Sequence, residues 1–505
     1  MIRDAVFSEG KAQGRANGGG RRPLLKKPPR RCGPHKNFYS NKNMILGVTG
    51  NPILHSKSPV IFNSIFENLQ INDSHAYTRI AANTPAEAMF LFKELGLTGM
   101  NVTAPFKAGI MEYLDEVEDA AKTIGGVNTV VREKEIIKGY NTDYLGVTGA
   151  LAGRGISLEG KRCVVLGAGG AGRAAVYGLL KEKAIVILVN RTYSTAAIAA
   201  KELGCDMRDI SSLQNLLKEV DILVSTLPAG VDIIQGEWLR EGLVVFDANY
   251  KKSRLVEEAE NRGCQTIRGE EWLLNQAIPA YGYFLGKKHP DIENITKVLW
   301  GPGGRTAFFK KAPWLEKELV IALVGFMGSG KSYIGKQLAQ RMGFVFKDLD
   351  ELIEKKAGQS VPEIFSKQGE GIFRRLEKEA LAEVLQSEGR VVIACGGGVV
   401  LDAENRELLK NNCLVIWLYS SIETSLKRIP KGTRPLLDCA DPVKEAQRIL
   451  DERLFYYAQA ADLVVSNEQC CLRRPENFSR KGFWTSKSFS LVEKISDEIN
   501  KVFNH

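Results

Sequence analysis

Two glycine-rich segments of the chain have the residue spacing of nucleotide-binding loops. The first has the pattern G-x-G-x-x-G and consists of Gly167, Ala168, Gly169, Gly170, Ala171 and Gly172, between an apolar run and a helical pattern. In this context the first glycine permits a tight turn, the second lets a pyrophosphate approach the backbone, and the helix N-terminus faces the phosphates. The segment therefore predicts a dinucleotide site, with a glycine-rich turn that binds no ligand as the alternative.

A polar segment at the end of the next apolar run bears on which dinucleotide binds. It consists of Asn190, Arg191 and Thr192. A carboxylate at such a position bonds to the ribose 2′-hydroxyl of NAD, whereas an arginine attracts a 2′-phosphate and stacks on adenine. Arg191 therefore favours NADP(H), although an ordinary surface arginine at a strand end is the alternative and no second arginine follows.

The second glycine-rich segment fits the pattern G-x-x-x-x-G-K-[ST] and follows the apolar run 319–324. It begins at Gly325 and ends with Gly328, Ser329, Gly330, Lys331 and Ser332. In this pattern backbone N–H groups surround the nucleotide phosphates, the lysine reaches the β- and γ-phosphates, and the hydroxyl binds Mg²⁺. The segment predicts a site for ATP and Mg²⁺.

Further polar segments follow the apolar runs between residues 44 and 150. They include Ser56, Ser58, Asn101, Thr103, Lys107, Asn128 and Asp143. Hydroxyls and carboxamides at strand ends suit a polyhydroxylated small molecule. A lysine with an aspartate suits proton transfer at a carbonyl or an alcohol. Individually, such residues are also common in turns and helix caps.

Charged residues after the second nucleotide loop indicate a pocket for an anionic acceptor. Asp348 and Asp350 end the next predicted strand, with one carboxylate available to Mg²⁺ and the other to an acceptor hydroxyl. Arg374, the glycines at 396–398 and Arg434 complete a cationic pocket that suits a carboxylate. Taken separately, a solvated helix face and a plain turn would explain the arginine and the glycines.

From Met44 onward, β-branched apolar runs alternate with helical patterns, which is the signature of parallel α/β units. The fold class is therefore α/β, with strands of the first unit expected at 44–48, 76–80, 99–103 and 127–131. The predicted organisation is a basic disordered tail at 1–43, a substrate-binding domain at 44–150, a Rossmann domain at 151–286, a linker at 287–318 and a P-loop domain with a parallel sheet at 319–505.

The chain has 505 residues and a formal net charge of +10, which alone would suggest a nucleic-acid partner. Residues 1–43 hold eleven Lys and Arg against two acidic residues, so the rest is nearly neutral. A solvated tail is the favoured interpretation, and nucleic-acid binding is disfavoured. Nine scattered cysteines and no apolar run near the roughly 18 residues of a membrane span predict a cytoplasmic protein, either monomer or homodimer.

The order of motifs from 44 to 286 resembles the shikimate dehydrogenase family. The resemblance rests on Ser56-x-Ser58-Pro59, the segment Asn101 to Lys107, Gly126-Val-Asn128-Thr129, Asn141-Thr-Asp143 and the first glycine turn. It implies that Lys107 and Asp143 are the catalytic pair. It also implies a shikimate-binding set of Ser56, Ser58, Asn101, Thr103, Lys107, Asn128, Asp143, Tyr250 and Gln276. Phe62 departs from the histidine that the family usually has.

Residues 319–466 are similar to shikimate kinase. This resemblance implies that Asp350 contacts the acceptor hydroxyl, that Asp348 lies near Mg²⁺, and that Arg434 meets the phosphates from a lid. It further implies a shikimate site that contains Asp350, Arg374, Gly397, Gly398 and Arg453. Phe455 replaces the proline of the usual R-x-P-x-Y motif around Arg453.

Together, the two resemblances predict a bifunctional enzyme of aromatic amino acid biosynthesis. It would reduce 3-dehydroshikimate to shikimate with NADPH and then phosphorylate the 3-hydroxyl of shikimate with ATP. One rival is a ligand sensor that retains both folds and contacts DNA through its basic tail; intact Lys107 and Lys331 argue against it. Another rival is an enzyme that prefers quinate or NAD.

Overall fold

A computed structural model describes residues 43–250, 253–286, 314, 318–386, 389–430, 434–468 and 491–503. Residues 1–42 of the predicted basic tail and nearly all of the predicted linker at 287–318 lie outside the described residues. The domain boundaries stated above remain predictions.

The first unit consists of strands and helices around a mixed sheet. Its elements are β1 Met44–Gly50, α1 Ser58–Asn68, β2 His75–Ala81, α2 Pro85–Glu94, β3 Gly99–Val102, β4 Glu116–Val117, α3 Asp119–Ile124, β5 Thr129–Glu133, β6 Ile136–Tyr140 and α4 Asp143–Ala152. Strand β1 pairs in parallel with β2 and β3, while β5 and β6 extend the sheet in antiparallel fashion. The first three predicted strands are confirmed. The fourth begins two residues later than expected and is followed by β6, which the sequence analysis did not predict.

The second unit is a six-stranded parallel sheet in the order β12-β11-β10-β7-β8-β9. Its elements are β7 Arg162–Leu166, α5 Gly170–Lys181, β8 Ile185–Val189, α6 Tyr193–Leu203, β9 Asp206–Arg208, α7 Leu213–Leu216, β10 Ile222–Ser225, β11 Val244–Asp247, α8 Arg254–Asn261, β12 Gln265–Arg268 and α9 Gly269–Leu285. The strand order reverses at β7, where doubly wound sheets bind dinucleotides. Helix α9 returns to the first unit, and the Trp272 indole Nε1 donates to the Asp143 carbonyl at 2.9 Å.

The third unit has five parallel strands in the order β14-β15-β13-β16-β17. Its elements are β13 Val320–Val324, α10 Lys331–Met342, β14 Val345–Asp348, α11 Leu349–Ala357, α12 Val361–Gln368, α13 Glu370–Gln386, β15 Val391–Ala394, α14 Ala403–Asn412, β16 Leu414–Tyr419, α15 Ile422–Arg428, α16 Pro442–Ala460, β17 Leu463–Ser466 and α17 Leu491–Phe503. All residues of β13, β15, β16 and β17 are buried, as expected for parallel strands that are covered on both faces. The α/β fold class and the parallel sheet of this unit are confirmed.

The sheets of the first and third units are continuous. Strand β17 pairs in parallel with β2, so that Leu463 lies opposite Arg79 and Val465 lies opposite Ala81. The Thr78 hydroxyl donates to the Ala461 carbonyl at 2.9 Å beside this joint. Eleven described strands thus share one sheet, in the order β14-β15-β13-β16-β17-β2-β1-β3-β5-β6-β4. This joint was not predicted from the sequence.

None of the helices in the described part of the chain has the length and apolar character needed to cross a bilayer.

Candidate active sites

A lysine and an aspartate form a close ion pair in the first unit. Lys107 follows β3, and Asp143 is the first residue of α4. The Lys107 Nζ lies 2.6 Å from Asp143 Oδ2, and the two side chains are only 19% and 7% exposed. Because both side chains are largely buried, this ammonium–carboxylate contact holds the two groups in fixed positions.

Asn128 holds the other oxygen of this carboxylate. Its Nδ2 donates to Asp143 Oδ1 at 2.9 Å and lies 2.8 Å from Gln276 Oε1. Its Oδ1 accepts from the Thr142 backbone N–H at 2.7 Å. The buried amide therefore fixes the carboxylate and links it to α9. Thr142 was not predicted as part of the site; its place between two motif residues, Asn141 and Asp143, was the available signal.

The ion pair lies in a cavity of about 190 Å³. The predicted substrate residues all line it, namely Ser56, Ser58, Asn101, Thr103, Lys107, Asn128, Asp143, Tyr250 and Gln276. Asn101 is supported from behind by Tyr77, whose hydroxyl donates to Asn101 Oδ1 at 2.6 Å. The Tyr77 ring stacks on Phe62 at 4.4 Å between centroids. The departure at Phe62 thus places a buried ring behind the cavity wall, and Tyr77 is a supporting residue that the sequence analysis missed.

The first glycine turn adjoins this cavity. Gly167 has a φ of +101°, and a Cβ on Gly172 would lie 1.8 Å from the Gly167 carbonyl oxygen, so both positions require glycine. A Cβ on Gly169 would meet no atom within 4 Å, which leaves open space over the turn. Helix α5 begins there with no side-chain cap, so its first N–H groups are available to an anion. Ala171 lines the same cavity as Lys107.

The segment after β8 supports this turn and is open to solvent. Asn190 Oδ1 accepts from the Ala168 backbone N–H at 3.2 Å, and Asn190 Nδ2 donates to the Thr192 carbonyl at 3.1 Å. Arg191 and Thr192 are exposed. The residues around the turn therefore fit a bound dinucleotide, and the contact of Arg191 with its adenosine end remains a prediction.

The phosphate loop connects β13 to α10. Gly325, Gly328 and Gly330 all have positive φ, and a Cβ on Gly328 would lie 2.4 Å from the Ser425 carbonyl oxygen. Lys331 Nζ donates to the Gly325 and Phe326 carbonyls at 2.8 and 3.0 Å. Burial lowers the pKa of Lys331 to about 8. Ser329, within the loop, is buried.

Two oxygen-bearing side chains meet beside this loop. The Ser332 hydroxyl donates to Asp348 Oδ2 at 2.6 Å, and the Asp350 backbone N–H donates to Asp348 Oδ1 at 3.0 Å. Burial raises the pKa of Asp348. The described residues contain no group of three or more His, Cys, Asp or Glu side chains that could hold a metal alone. A hydroxyl and a carboxylate at a phosphate loop nevertheless fit Mg²⁺, which usually binds to one or two protein oxygens together with phosphates.

Three arginines and the glycine triplet surround the space next to Asp350. Arg434 Nη1 lies 3.3 Å from Asp350 Oδ2, and Arg453 Nη1 donates to the Gly397 carbonyl at 3.1 Å. Arg374 pairs with the buried Glu377 at 2.7 Å and covers Gly398, where a Cβ would lie 2.3 Å from Arg374 Nη2. The predicted acceptor residues are thus close together around the triplet.

Arg374, Arg434 and Arg453 form an arginine-lined cup that is supported by two residues not predicted from the sequence. Glu377, 1% exposed, holds Arg374 in place, and burial raises its pKa. The Tyr457 hydroxyl donates to the Gly397 carbonyl, the same oxygen that Arg453 contacts. Glu377 lies three residues after Arg374 on the same helix, and Tyr457 lies four residues after Arg453 on another, so this helical spacing was the available signal. The exception at Phe455 leaves the Arg453 contact intact, and the Phe455 side chain is buried.

An ammonium–carboxylate pair beside a Rossmann turn, joined to a phosphate loop facing an arginine-lined cup, defines a nicotinamide-dependent oxidoreductase coupled to a P-loop phosphotransferase. Comparisons with known proteins specify both halves. Family models match residues 48–130 (Shikimate dehydrogenase substrate binding domain), 150–255 (Shikimate / quinate 5-dehydrogenase) and 327–472 (Shikimate kinase). The chain belongs to the shikimate dehydrogenase family and carries a shikimate kinase domain after it.

Two relatives, compared by sequence, support the dehydrogenase half of this assignment. The shikimate dehydrogenase (NADP(+)) of Thermococcus kodakarensis is 37% identical over 49% of this chain and 92% of its own length. That of Aquifex aeolicus is 35% identical over 49% of this chain and 94% of its own. A crystal structure of shikimate dehydrogenase from Aquifex aeolicus has 34% identity and a TM-score of 0.48, covering 51% of this chain and 98% of that one. The family models and these relatives confirm the predicted fusion of the two families and the predicted dependence on NADP and ATP.

Proposed function

We propose that the first active site reduces 3-dehydroshikimate to shikimate with NADPH. The observation that carries the proposal is the largely buried Lys107–Asp143 pair, which lies in a polar cavity that opens onto the glycine turn. When bound, NADPH supplies the hydride for the carbonyl carbon. The residues of the chain then have to bind the ring, orient the carbonyl and deliver one proton to its oxygen.

Lys107 is the proton donor in this proposal. Its ammonium donates a proton to the carbonyl oxygen as that oxygen becomes a hydroxyl, an effect worth roughly 10²–10⁴ in rate. Asp143 holds the ammonium in position, and Asn128 fixes the carboxylate from its other oxygen. Ser56, Ser58, Asn101, Thr103, Tyr250 and Gln276 supply the remaining polar contacts to the carboxylate and hydroxyls of the substrate.

We further propose that the second active site phosphorylates the 3-hydroxyl of shikimate. The phosphate loop and Lys331 bind the phosphates of ATP, and Arg434 also contacts these phosphates. Asp350 contacts the acceptor hydroxyl and takes its proton, while Arg374 and Arg453 bind the carboxylate of the ring beside Gly397 and Gly398. Carboxylate recognition by guanidinium groups supports this assignment, since such pairs are strong and directional.

Ser332 and Asp348 are the proposed protein ligands of Mg²⁺. Their adjacent oxygens, 2.6 Å apart, leave the other coordination positions to phosphates and water. Mg²⁺ supplies charge neutralisation at the β- and γ-phosphates when bound.

We further propose that the protein acts on these small-molecule substrates in the cytoplasm and that it is a monomer or a homodimer. Six described cysteines are free thiols, which fits a reducing compartment.

The test is a product analysis with two variants. The wild-type chain, given 3-dehydroshikimate, NADPH and MgATP, should form shikimate 3-phosphate. Lys107→Ala should stop NADPH consumption and still phosphorylate added shikimate, and Lys331→Ala should do the reverse. Binding of shikimate without turnover would instead identify a sensor. Faster reduction of 3-dehydroquinate than of 3-dehydroshikimate would reassign the substrate, and faster reduction with NADH than with NADPH would reassign the cofactor.

A further inference from the structure

The segment between β1 and α1 carries Ser56 of the dehydrogenase cavity, and the first residue of α1, Ser58, is a second residue of that cavity. The segment has no regular secondary structure from 51 to 57, so its main chain needs partners from elsewhere. We refer to residues 51–58 as the substrate loop. Its conformation decides where the two serine hydroxyls lie, because both side chains are short.

The main chain of the substrate loop is bound by a carboxylate from the far end of the chain. Glu498, on α17, accepts from the Ile53 N–H at 2.9 Å and from the Leu54 N–H at 2.9 Å, both through Oε2. The Glu498 side chain is almost completely buried, and so are Ile53 and Leu54. A buried carboxylate that accepts from two backbone N–H groups makes stronger bonds than a neutral acceptor would.

Arg79 forms a second hydrogen-bonded link between the substrate loop and the kinase half. Its Nε and Nη2 both donate to the Ser56 carbonyl, at 3.1 and 2.8 Å. Its Nη1 donates to the Asp462 carbonyl at 3.2 Å, directly before β17. The residue that carries a cavity hydroxyl is therefore fixed on its carbonyl side as well.

Helix α17 is itself fixed between the two halves. Lys494 Nζ donates to the Ala81 carbonyl at 3.1 Å and pairs with Glu87 at 3.0 Å, in a buried contact with the dehydrogenase half. Ile495 and Ile499 belong to the same buried cluster as Leu338 of α10, the helix that begins at the phosphate loop. The position of Glu498 is thus set by both halves of the chain.

From these contacts we infer that Glu498 is a positioning residue for the dehydrogenase reaction: the last helix, which follows the kinase strands, holds the substrate loop in its binding conformation. The inference rests on the proposed function of the dehydrogenase cavity. It means that the reductase site is completed by residues at the end of the chain and is not contained within residues 44–286.

The test is Glu498→Gln in the full-length chain, with both activities measured. The variant keeps the shape of the side chain but loses the charge and turns one acceptor into a donor. We expect the KM for 3-dehydroshikimate to rise about tenfold or more, since hydrogen bonds to charged groups are the strong ones. The kcat of reduction, the KM for NADPH and all kinase constants should stay within about twofold. Asp497→Asn, which removes the same charge one residue earlier on the same helix, is the matched control and should match the wild type.

A second variant covers the case in which Glu498→Gln does not fold. Arg79→Lys keeps the positive charge but cannot make the forked contact to Ser56, so it should also raise the KM for 3-dehydroshikimate and spare kcat. If a variant retains wild-type kinase constants and its KM for 3-dehydroshikimate is unchanged, the inference is wrong. The inference is also wrong if the reductase and kinase activities fall to the same extent in both variants. A wild-type chain without reductase activity would overturn the proposed function as well, which separates the two failures.

Discussion

Gly398→Ala should impair the kinase site and leave the reductase site unchanged. A Cβ at this position would lie 2.3 to 2.4 Å from the guanidinium atoms of Arg374. The backbone at Gly398 has negative φ, so alanine itself is not strained there. The far end of a flexible side chain can move aside, and we therefore expect the protein to fold with Arg374 displaced from the cup.

The size of the effect follows from the proposed task of Arg374. A hydrogen bond to a charged group contributes about 1.5–3 kcal/mol, which corresponds to a factor of about 10 to 150 in binding. The displaced guanidinium also leaves Glu377, a carboxylate that is 1% exposed, without its partner at 2.7 Å. We expect the KM for shikimate in the kinase reaction to rise by about that factor.

The assay measures both reactions of one preparation. ADP formation reports the kinase and NADPH consumption reports the reductase, so the unaffected half serves as the internal check on folding. Gly371→Ala is the matched control. Gly371 lies on the same helix as Arg374, and a Cβ there would meet no atom within 4 Å. If Gly398→Ala bound shikimate at the kinase site as tightly as the wild type, the assignment of Arg374 to the carboxylate would be wrong.

Three further predictions concern other parts of the molecule. Because burial lowers the pKa of Lys331 to about 8, its ammonium charge is present below that pH and lost above it. The KM for ATP should therefore rise about tenfold from about pH 7 to about pH 9, and a flat profile would contradict this reasoning. Phe62→Ala should lower the free energy of unfolding by about 3–5 kcal/mol in denaturant titrations, since it removes a buried ring; Leu69→Ala, at an exposed position, should change it by less than about 0.5 kcal/mol. Arg191→Gln should raise the KM for NADPH about tenfold and leave that for NADH unchanged; equal changes for both would argue against a contact to the 2′-phosphate.

Local sequence was sufficient where backbone geometry dictates the residue. Gly167, Gly328 and Gly330 have positive φ, which few residues other than glycine adopt, so both nucleotide loops are recognisable from their glycine spacing between a strand and a helix. Lys107 and Asp143 were expected together because a lysine with an aspartate suits proton transfer and because the order of motifs resembles the shikimate dehydrogenase family, which implies that these two residues are the catalytic pair.

Other contacts join residues that are distant in the chain and carry no local signal. Glu498 accepts from Ile53 and Leu54 across 445 and 444 positions of sequence. The pairing of β17 with β2 depends on how two whole units pack. Nothing in the apolar pattern of either strand distinguishes a central position from an edge. A carboxylate on an amphipathic helix is normally taken for a solvated residue, and only the packing of α17 reveals otherwise.

The joint between β17 and β2 also has a consequence for any attempt to divide the chain. If the halves were produced separately, each of these strands would become an edge strand of a smaller sheet, and its unpaired N–H and C=O groups would face the solvent. Exposed edge strands promote aggregation and exchange of strands between molecules. Separated halves should therefore precipitate, or recombine when mixed. In the fused chain each of the two strands covers the edge of the other.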